Sequence, residues 1–427
     1  MRLFLAAALA AAAVHAEPAQ LLTPAPPPSA ASGASGSLDV EAATRAYLNQ
    51  LPAAQRAKSD AYFEGGYWLH LWDFLWGSGV ALLLLFSGWS ARMRDRAERL
   101  TRFAALQTAL YWLQFLAATY LLSFPLSLYR DYFREHQYGL SNLTFAGWLG
   151  EEAKGLLVSA IFGTLAMIAL YAIVRRLPRT WWIWGAGVSL LFLAFGALIA
   201  PVLIVPLFNT PKKLADQRVV APILSLARAN GIATGEVWEI DASKQTTRVS
   251  ANVSGFLGTE RITLNDNLLN RCSLPEIEAV MGHEMGHYVL NHVYKFIWEF
   301  GVIIVVGFAF LNWLFERLRA RYRWGVRDLS DLAGLPLASL ILSLYFFALT
   351  PVFNTIVRTA EYEADVFGLN AAQKPDGSAQ MALKLSEYRK LEPGPLEEMI
   401  FYDHPSGRTR IFTAMRWKAE HPETWTR

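Results

Sequence analysis

The sequence is poor in cysteine and in charged residues, and each shortage excludes a class of protein. Its 427 residues include one cysteine, Cys272. A single thiol cannot form an intramolecular disulfide or a cysteine-based zinc site, and we expect it to be buried or idle. Charged residues make up 18% of the chain and the net charge is only +3. We therefore predict no binding to nucleic acid.

Apolar residues are in excess. They make up 53% of the chain, the mean hydropathy is +0.24, and there are 15 tryptophans. This composition is too apolar for an ordinary soluble protein of this length. We therefore predict an integral membrane protein that is embedded in a lipid bilayer.

Six apolar stretches are long enough to cross a bilayer. They lie at about 67–89, 104–127, 155–175, 181–206, 295–316 and 335–357. Residues 1–16 have the arginine, the short apolar run and the small final residues of a secretory signal peptide, with an uncleaved signal anchor as the alternative. Residues 17–66 are predicted to form a low-complexity linker.

Arginines crowd alternate connections between these predicted spans. Five arginines lie in the first connection, three in the third and five in the fifth. Short arginine-rich loops stay on the cytoplasmic side of a membrane. One orientation satisfies all three connections together with an exported N-terminus. It predicts that residues 207–294 and the tail after 357 face the periplasm of a bacterial inner membrane.

Residues 273–291 are predicted to form one helix. Ser273 and Glu276 have the spacing of a capping box, and Pro275 suits the first turn. No further proline interrupts the run, and the pattern H-E-x-x-H begins at His283. The pattern therefore lies on a continuous helix.

The helix gives this pattern a chemical meaning. Residues four apart lie about 40° from each other around a helix axis, so His283 and His287 point the same way and can hold one metal ion. Glu284 lies at the wrong angle for ligation and is free to act as the base that takes a proton from water. Zinc is the favoured metal, because two imidazoles, one carboxylate and an open position are typical of a catalytic site.

A third ligand is predicted downstream. Glu361 and Asp365 share a helix face, whereas Glu363 lies about 200° away from Glu361. We predict that Glu361 is the ligand, and that Asp365 orients a ligand histidine or pairs with an arginine. The alternative is a chance H-E-x-x-H on a solvated helix together with ordinary surface carboxylates.

The order of these motifs resembles that of a known family. The resemblance rests on His283-Glu284-Met285-Gly286-His287, Glu361-Tyr362-Glu363-Ala364-Asp365 after two apolar spans, and His404-Pro405 with Arg410. The chain resembles the integral-membrane type I CAAX prenyl proteases, zinc metallopeptidases that process the yeast a-factor and prelamin A, from about residue 56 to residue 411.

The resemblance implies roles for individual residues. It implies that His283, His287 and Glu361 are the zinc ligands and that Glu284 is the catalytic base. His404 would face the cleaved bond and steady the oxyanion, and Arg410 would pair with Asp365. The predicted site would face away from the cytoplasm, opposite to what the family's eukaryotic members imply.

Short strands are predicted at 236–240, 247–256 and 261–264. Residues 249–255 resemble the strand with which the family binds substrate, so Ser250, Ala251 and Asn252 are candidate substrate-binding residues. The segment departs from the family's Asn-Ala-x pattern, because Ser250 stands in place of the asparagine and Asn252 falls two residues later. An internal strand of a small sheet is the alternative. His292 lies about 140° from His287 on a continuous helix, and we expect it to be solvated.

The predicted fold is mainly α: a polytopic membrane helical bundle with a gluzincin-type zinc protease unit that contains a short β element. Four spans lie in 67–206 and two in 295–357, and the protease unit comprises 207–294 and 358–427. The predicted function is that of a zinc metalloendopeptidase with one Zn²⁺ per chain, acting on peptide or protein substrates in processing or quality control of membrane or exported proteins. A transport protein or a scaffold with a non-catalytic metal site is the alternative.

Overall fold

The computed structural model describes residues 38–199, 203–254 and 260–424, and the predicted signal peptide lies outside them. Most of the described chain is helical. The helices, in chain order, are α1 (Val40–Leu48), α2 (Ala53–Phe86), α3 (Trp89–Leu100), α4 (Ala104–Leu128), α5 (Arg134–Gln137), α6 (Phe145–Arg176), α7 (Trp181–Ile199), α8 (Val205–Phe208), α9 (Gln217–Ala229), α10 (Asp266–Arg271), α11 (Leu274–Val289), α12 (His292–Arg321), α13 (Leu335–Ala348), α14 (Thr350–Ala372), α15 (Pro375–Leu385), α16 (Pro395–Phe401) and α17 (Gly407–Glu420).

Among the described residues, four helical segments are long and apolar enough to cross a membrane. They are α2, the continuous run Ala104–Gln137 that joins α4 to α5, α6 and α12. Helices α13 and α14 pass the same test only as a pair, which is bent by 55° at the break, and α7 contains a shorter apolar stretch, Trp181–Gly196. The predicted spans at 181–206 and 335–357 thus correspond to a short helix and a bent pair. Pro351 lies in the first turn after the bend, where it cannot donate a backbone hydrogen bond.

The predicted linker 17–66 is wrong over its described part. Asp39 caps α1 by accepting a hydrogen bond from Ala42 N at 3.0 Å, and α2 begins at Ala53. Tyr47 of α1 is 1% exposed, and its hydroxyl donates to Asp376 at 2.6 Å. Helix α1 is therefore docked on the C-terminal helices, because its apolar face is buried against residues more than 300 positions away.

The described part of the chain also contains one small sheet. Its strands are β1 (Pro211–Lys213), β2 (Val237–Ile240), β3 (Ala251–Ser254) and β4 (Arg261–Asn265), in the order β1-β2-β4-β3. Strands β2 and β4 are parallel and the other pairs are antiparallel. The three predicted strands are confirmed. Among the described residues β3 pairs with β4 alone, so it is an edge strand, and it packs beside α11.

Cys272 lies between β4 and α11. Its Sγ atom is 3.6 Å from Met381 Sδ. Burial raises the pKa of this thiol to about 12. The thiol therefore stays protonated and unreactive at neutral pH, as expected for an idle cysteine.

The arginine-rich connections lie together at one end of the helical bundle. Arg94 Nη1 is 2.5 Å from Asp331 Oδ2, which joins the first connection to the fifth. Arg175 Nη1 donates to Ala104 O at 3.4 Å, which joins the third connection to the first. The second connection contacts the sheet-containing segment instead, since Asn142 N donates to Gln245 O at 3.0 Å.

Helices α11 and α14 approach each other closely through small residues. A Cβ atom on Gly368 would lie 2.7 Å from His283 N, and one on Gly282 would lie 2.9 Å from Gly368 O. A Cβ atom on Gly286 would lie 3.1 Å from Ala364 Cα. Side chains larger than hydrogen do not fit at Gly282 and Gly368. This contact sets the distance at which α14 presents its carboxylates to α11.

We predict that Gly368→Ala separates these helices. The added methyl group meets the backbone of His283, which cannot rotate away, so overpacking should destabilise the protein by about 1–3 kcal/mol. Bound metal should fall with it, because the two histidines and the carboxylates on α14 move apart. Gly66→Ala on α2 is the matched control, since nothing lies within 4 Å of its Cβ position. Metal content and thermal unfolding of the purified proteins measure both effects, and equal metal content in the two variants would contradict the prediction.

Candidate metal centre

Helix α11 begins with the predicted capping box, which is confirmed. Ser273 N donates to Glu276 Oε2 at 2.6 Å. Lys384 of α15 contacts the same oxygen at 2.8 Å, so the cap also ties α11 to the C-terminal part of the chain. This fixed start sets the rotation of the helix, and His283 and His287 then lie one turn apart on the face towards α14.

The structure brings the three predicted ligands together. The Nε2 atoms of His283 and His287 are 3.1 Å apart. Glu361 Oε2 is 3.3 Å from His283 Nε2, and Glu361 Oε1 is 3.4 Å from His287 Nε2. Ligand bonds of about 2.0–2.1 Å in tetrahedral geometry place neighbouring ligand atoms about 3.3 Å apart. The donor set and its spacing therefore fit one zinc ion.

Asp365 and Arg410 support this group from behind. His283 Nδ1 is 2.8 Å from Asp365 Oδ1. Arg410 Nε is 2.9 Å from Asp365 Oδ2, and its Nη2 donates to Glu361 Oε2 at 3.0 Å. Because Asp365 accepts the Nδ1 proton of His283, the Nε2 lone pair of His283 is directed at the site. Arg410 therefore contacts both Asp365 and Glu361, whereas the resemblance implied a contact with Asp365 alone.

The expectation that His292 is solvated is wrong. His292 is 1% exposed, its Nδ1 is 2.9 Å from His287 Nδ1, and its Nε2 is 3.1 Å from Glu363 Oε2. The predicted angle assumed one continuous helix. Asn291 has a φ of 58°, which ends α11 and turns the chain into α12, so His292 comes back beside His287.

Only one proton arrangement satisfies this chain of contacts when His287 binds a metal through Nε2. His287 then carries its proton on Nδ1 and donates it to His292 Nδ1. His292 in turn carries its proton on Nε2 and donates it to Glu363. Lys295 Nζ lies 3.1 Å from both oxygens of Glu363 and neutralises its charge. Sequence reasoning assigned neither His292 nor Glu363 to the site, because the turn at Asn291 is not visible in a helical pattern.

Glu284 is half-buried beside the two histidines. Within the described residues its carboxylate makes no hydrogen bond or ion pair. Burial raises the pKa of Glu284 above its ordinary value, although the neighbouring histidines act in the opposite direction. A carboxylate with a raised pKa and no partner is a stronger base and can accept a proton from water.

His404 reaches the centre from the C-terminal segment. Its Nε2 is 3.2 Å from Glu361 Oε2, and its Nδ1 is 2.7 Å from Asp403 Oδ1. Arg358 of α14 holds the end of α16, since its Nη1 donates to the backbone oxygens of Glu398 at 2.9 Å and Tyr402 at 2.5 Å. No sequence pattern indicates this role of Arg358, because these two partners are backbone atoms.

The candidate substrate-binding residues lie at the start of β3. Ser250 N donates to the side-chain Oδ1 of Asn265 at 3.0 Å and Ser250 O accepts from Asn265 N at 2.9 Å, so the backbone of Ser250 is already occupied. Ala251 and Asn252 belong to the edge strand itself. Asn252 Oδ1 is buried and has no hydrogen-bond partner among the described residues.

Comparisons with known proteins agree with this architecture. The model of the CAAX prenyl protease N-terminal region, with five membrane helices, matches residues 41–210, and that of peptidase family M48 matches residues 213–418. An uncharacterized metalloprotease of Bacillus subtilis, YhfN, is 30% identical over 79% of this chain and 82% of its own length. CAAX prenyl protease 1 of Saccharomyces cerevisiae is 26% identical over 70% of each chain.

A solved structure has the same fold. The crystal structure of S. mikatae Ste24p superposes with a TM-score of 0.71 and 22% sequence identity. The match covers 86% of this chain and 89% of that one. The overall fold is therefore common to both proteins.

We predict that His292→Ala weakens metal binding by about 10–100-fold, because His287 loses the acceptor for its Nδ1 proton. His292→Asn should restore part of the affinity, since the amide oxygen can accept from His287 while the amide nitrogen donates to Glu363. Competition with a chromogenic chelator measures affinity independently of peptidase activity. Unchanged affinity in His292→Ala, or equal losses in both variants, would contradict this role.

Proposed function

Because the chain belongs to peptidase family M48 and is a membrane metalloprotease like the CAAX prenyl proteases, we propose that its metal is zinc and that it is an endopeptidase for extended peptide segments. The observation that carries this proposal is the convergence of His283, His287 and Glu361 at tetrahedral ligand spacing. Glu284, which has no hydrogen-bond or ion-pair partner within the described residues, lies beside them. A peptide bond bound next to this group can be attacked by water.

The roles of the residues follow from their contacts. A zinc ion held by the three ligands would supply a Lewis acid that polarises the substrate carbonyl and lowers the pKa of water. Glu284 takes the proton of the attacking water and delivers it to the leaving amine. Asp365 and Arg410 keep the ligand side chains oriented during this transfer.

His404 is proposed to stabilise negative charge on the substrate oxygen. Both of its ring nitrogens face carboxylate oxygens, Asp403 at Nδ1 and Glu361 at Nε2, and His404 with a proton on each nitrogen can donate from Nε2 at the centre. A donor aimed at the oxygen of the cleaved bond is worth most in the transition state, when that oxygen carries charge. The proximity of His404 Nε2 to Glu361 supports this role.

We propose that the substrate lies along β3 as an added strand. The free edge of β3 and its packing beside α11 support this geometry, because an extended peptide can pair with exposed backbone groups. Ala251 and Asn252 would bind the substrate, and Ser250, whose backbone is bound to Asn265, would anchor the strand. A transport or scaffold function is not favoured, since neither has a use for the unpartnered Glu284.

We further propose that the centre faces away from the cytoplasm and acts on membrane-anchored or exported proteins, in a bacterial inner membrane facing the periplasm. The three arginine-rich connections lie at the end of the bundle opposite to the contact between Asn142 and Gln245, and short arginine-rich loops stay in the cytoplasm. No contact described above requires the substrate to have a prenylated C-terminus.

We predict that Glu284→Gln abolishes peptide hydrolysis while leaving the metal bound. The amide cannot accept the proton, so the rate should fall by about 10²–10⁴-fold. Glu278→Gln on the same helix is the matched control, because Glu278 pairs with Lys374 away from the centre. Cleavage of an unstructured fluorogenic peptide, with metal content measured in parallel, gives the result. Cleavage at the normal rate by Glu284→Gln would refute the mechanism.

The proposed orientation predicts opposite behaviour of two reporter fusions in a bacterial host. Alkaline phosphatase fused after Arg427 should be active, because it folds outside the cytoplasm, and a fluorescent protein at the same position should be dark. Fusions after Leu100, in the first arginine-rich connection, should give the reverse pattern. A C-terminal reporter that is active only in the cytoplasm would overturn the orientation.

A further inference from the structure

Positive charge is concentrated at one end of the molecule. The connections 87–103, 175–180 and 316–331 contain thirteen arginines and five acidic residues. Because the net charge of the whole chain is only +3, the remainder of the chain is net negative. This separation of charge is not needed for the metal centre, which lies elsewhere.

Four of the five acidic residues at this end are in ion pairs with arginines, and the fifth, Asp328, accepts hydrogen bonds from Ser330. Asp331 and Asp95 pair with Arg94, at 2.5 and 2.8 Å. Glu98 pairs with Arg327 and Glu316 with Arg319, each at 2.6 Å. Nine exposed arginines remain, and we call them the arginine surface: Arg92, Arg96, Arg99, Arg102, Arg176, Arg179, Arg317, Arg321 and Arg323. Within the described part of the chain, none of the nine is in an ion pair with a carboxylate.

Helix α3 displays three of these arginines as a stripe. Arg92, Arg96 and Arg99 have the spacing i, i+4, i+7, which puts them on one face. Trp89 and Leu100 lie next to the stripe and are 44% and 66% exposed. The opposite face, with Ser90, Arg94 and Ala97, is buried in the bundle. Exposed apolar groups beside arginines are typical of a helix that lies in the membrane interface.

The ends of the membrane helices put the arginine surface at the level of the lipid headgroups. Helix α2 ends at Phe86, α6 at Arg176 and α12 at Arg321. Guanidinium groups without protein carboxylates need other anions, and phosphate oxygens match their geometry. We propose that the arginine surface binds the phosphate headgroups of anionic phospholipids.

This binding surface is remote from the metal centre. Helix α12 runs from His292, beside the centre, to Arg321 at the arginine surface. Its 30 residues span about 45 Å at 1.5 Å per residue. Lipid binding should therefore affect the stability and lipid retention of the protein and leave the chemistry at the centre unchanged.

The test uses the full chain in nanodiscs of phosphatidylcholine with or without phosphatidylglycerol. The triple variant Arg92→Gln, Arg96→Gln, Arg99→Gln should lower retention of phosphatidylglycerol, measured by native mass spectrometry, at least about tenfold, because three headgroup contacts are lost and the interaction is electrostatic. It should also lose the rise in unfolding temperature that the anionic lipid causes. Peptidase activity should be unchanged.

The control variant removes the same charge elsewhere. This second triple variant changes three exposed arginines outside the arginine-rich connections: Arg218→Gln, Arg228→Gln and Arg416→Gln. It should retain the lipid. Equal lipid loss in both triple variants would show a non-specific charge effect and overturn the proposal. So would unchanged retention in the first variant, or stabilisation by inorganic phosphate equal to that by the lipid. If the first variant does not fold, Arg176→Gln with Arg321→Gln and Arg323→Gln tests the same surface.

Discussion

The close contact between α11 and α14 is the constraint on which the rest of the structure depends. Helix α11 carries both histidines of the centre and α14 carries the facing carboxylates, so the distance between the helix axes decides whether one ion can touch all three ligands. Gly282 and Gly368 permit this approach because neither has a side chain at the crossing. Core packing does not deform continuously, so a single methyl group at this point acts on the chemistry through the backbone.

The two ligand histidines are held by different means, and each series of contacts ends at a carboxylate of α14. His283 donates to Asp365, which Arg410 also binds. His287 donates to a second histidine, His292, and only through it to a carboxylate. In the first arrangement a carboxylate contacts the ligand ring directly. In the second, the imidazole of His292 lies between the ligand ring and the carboxylate. The two imidazoles therefore differ in their hydrogen-bond partners although they occupy equivalent positions in the motif.

Charge is also distributed unevenly between the two ends of the helical bundle. One end carries the arginine-rich connections, and the other carries the sheet and the metal centre. The helices between them are apolar and expose aromatic and aliphatic side chains to lipid. Burying the arginine end in hydrocarbon is costly and phosphate headgroups attract it, so the same charges account for both the proposed orientation and the proposed lipid contacts.

Local rules in the sequence determined the core of the site, because the angular relation of residues four apart on a helix does not depend on the rest of the fold. The pairs His283 with His287 and Glu361 with Asp365 could be read in this way, as could the capping box and the short strands. Tertiary structure decided what local rules cannot express. The left-handed turn at Asn291 brought His292 into the site, and docking against distant helices ordered the segment from residue 40 that its composition describes as a linker.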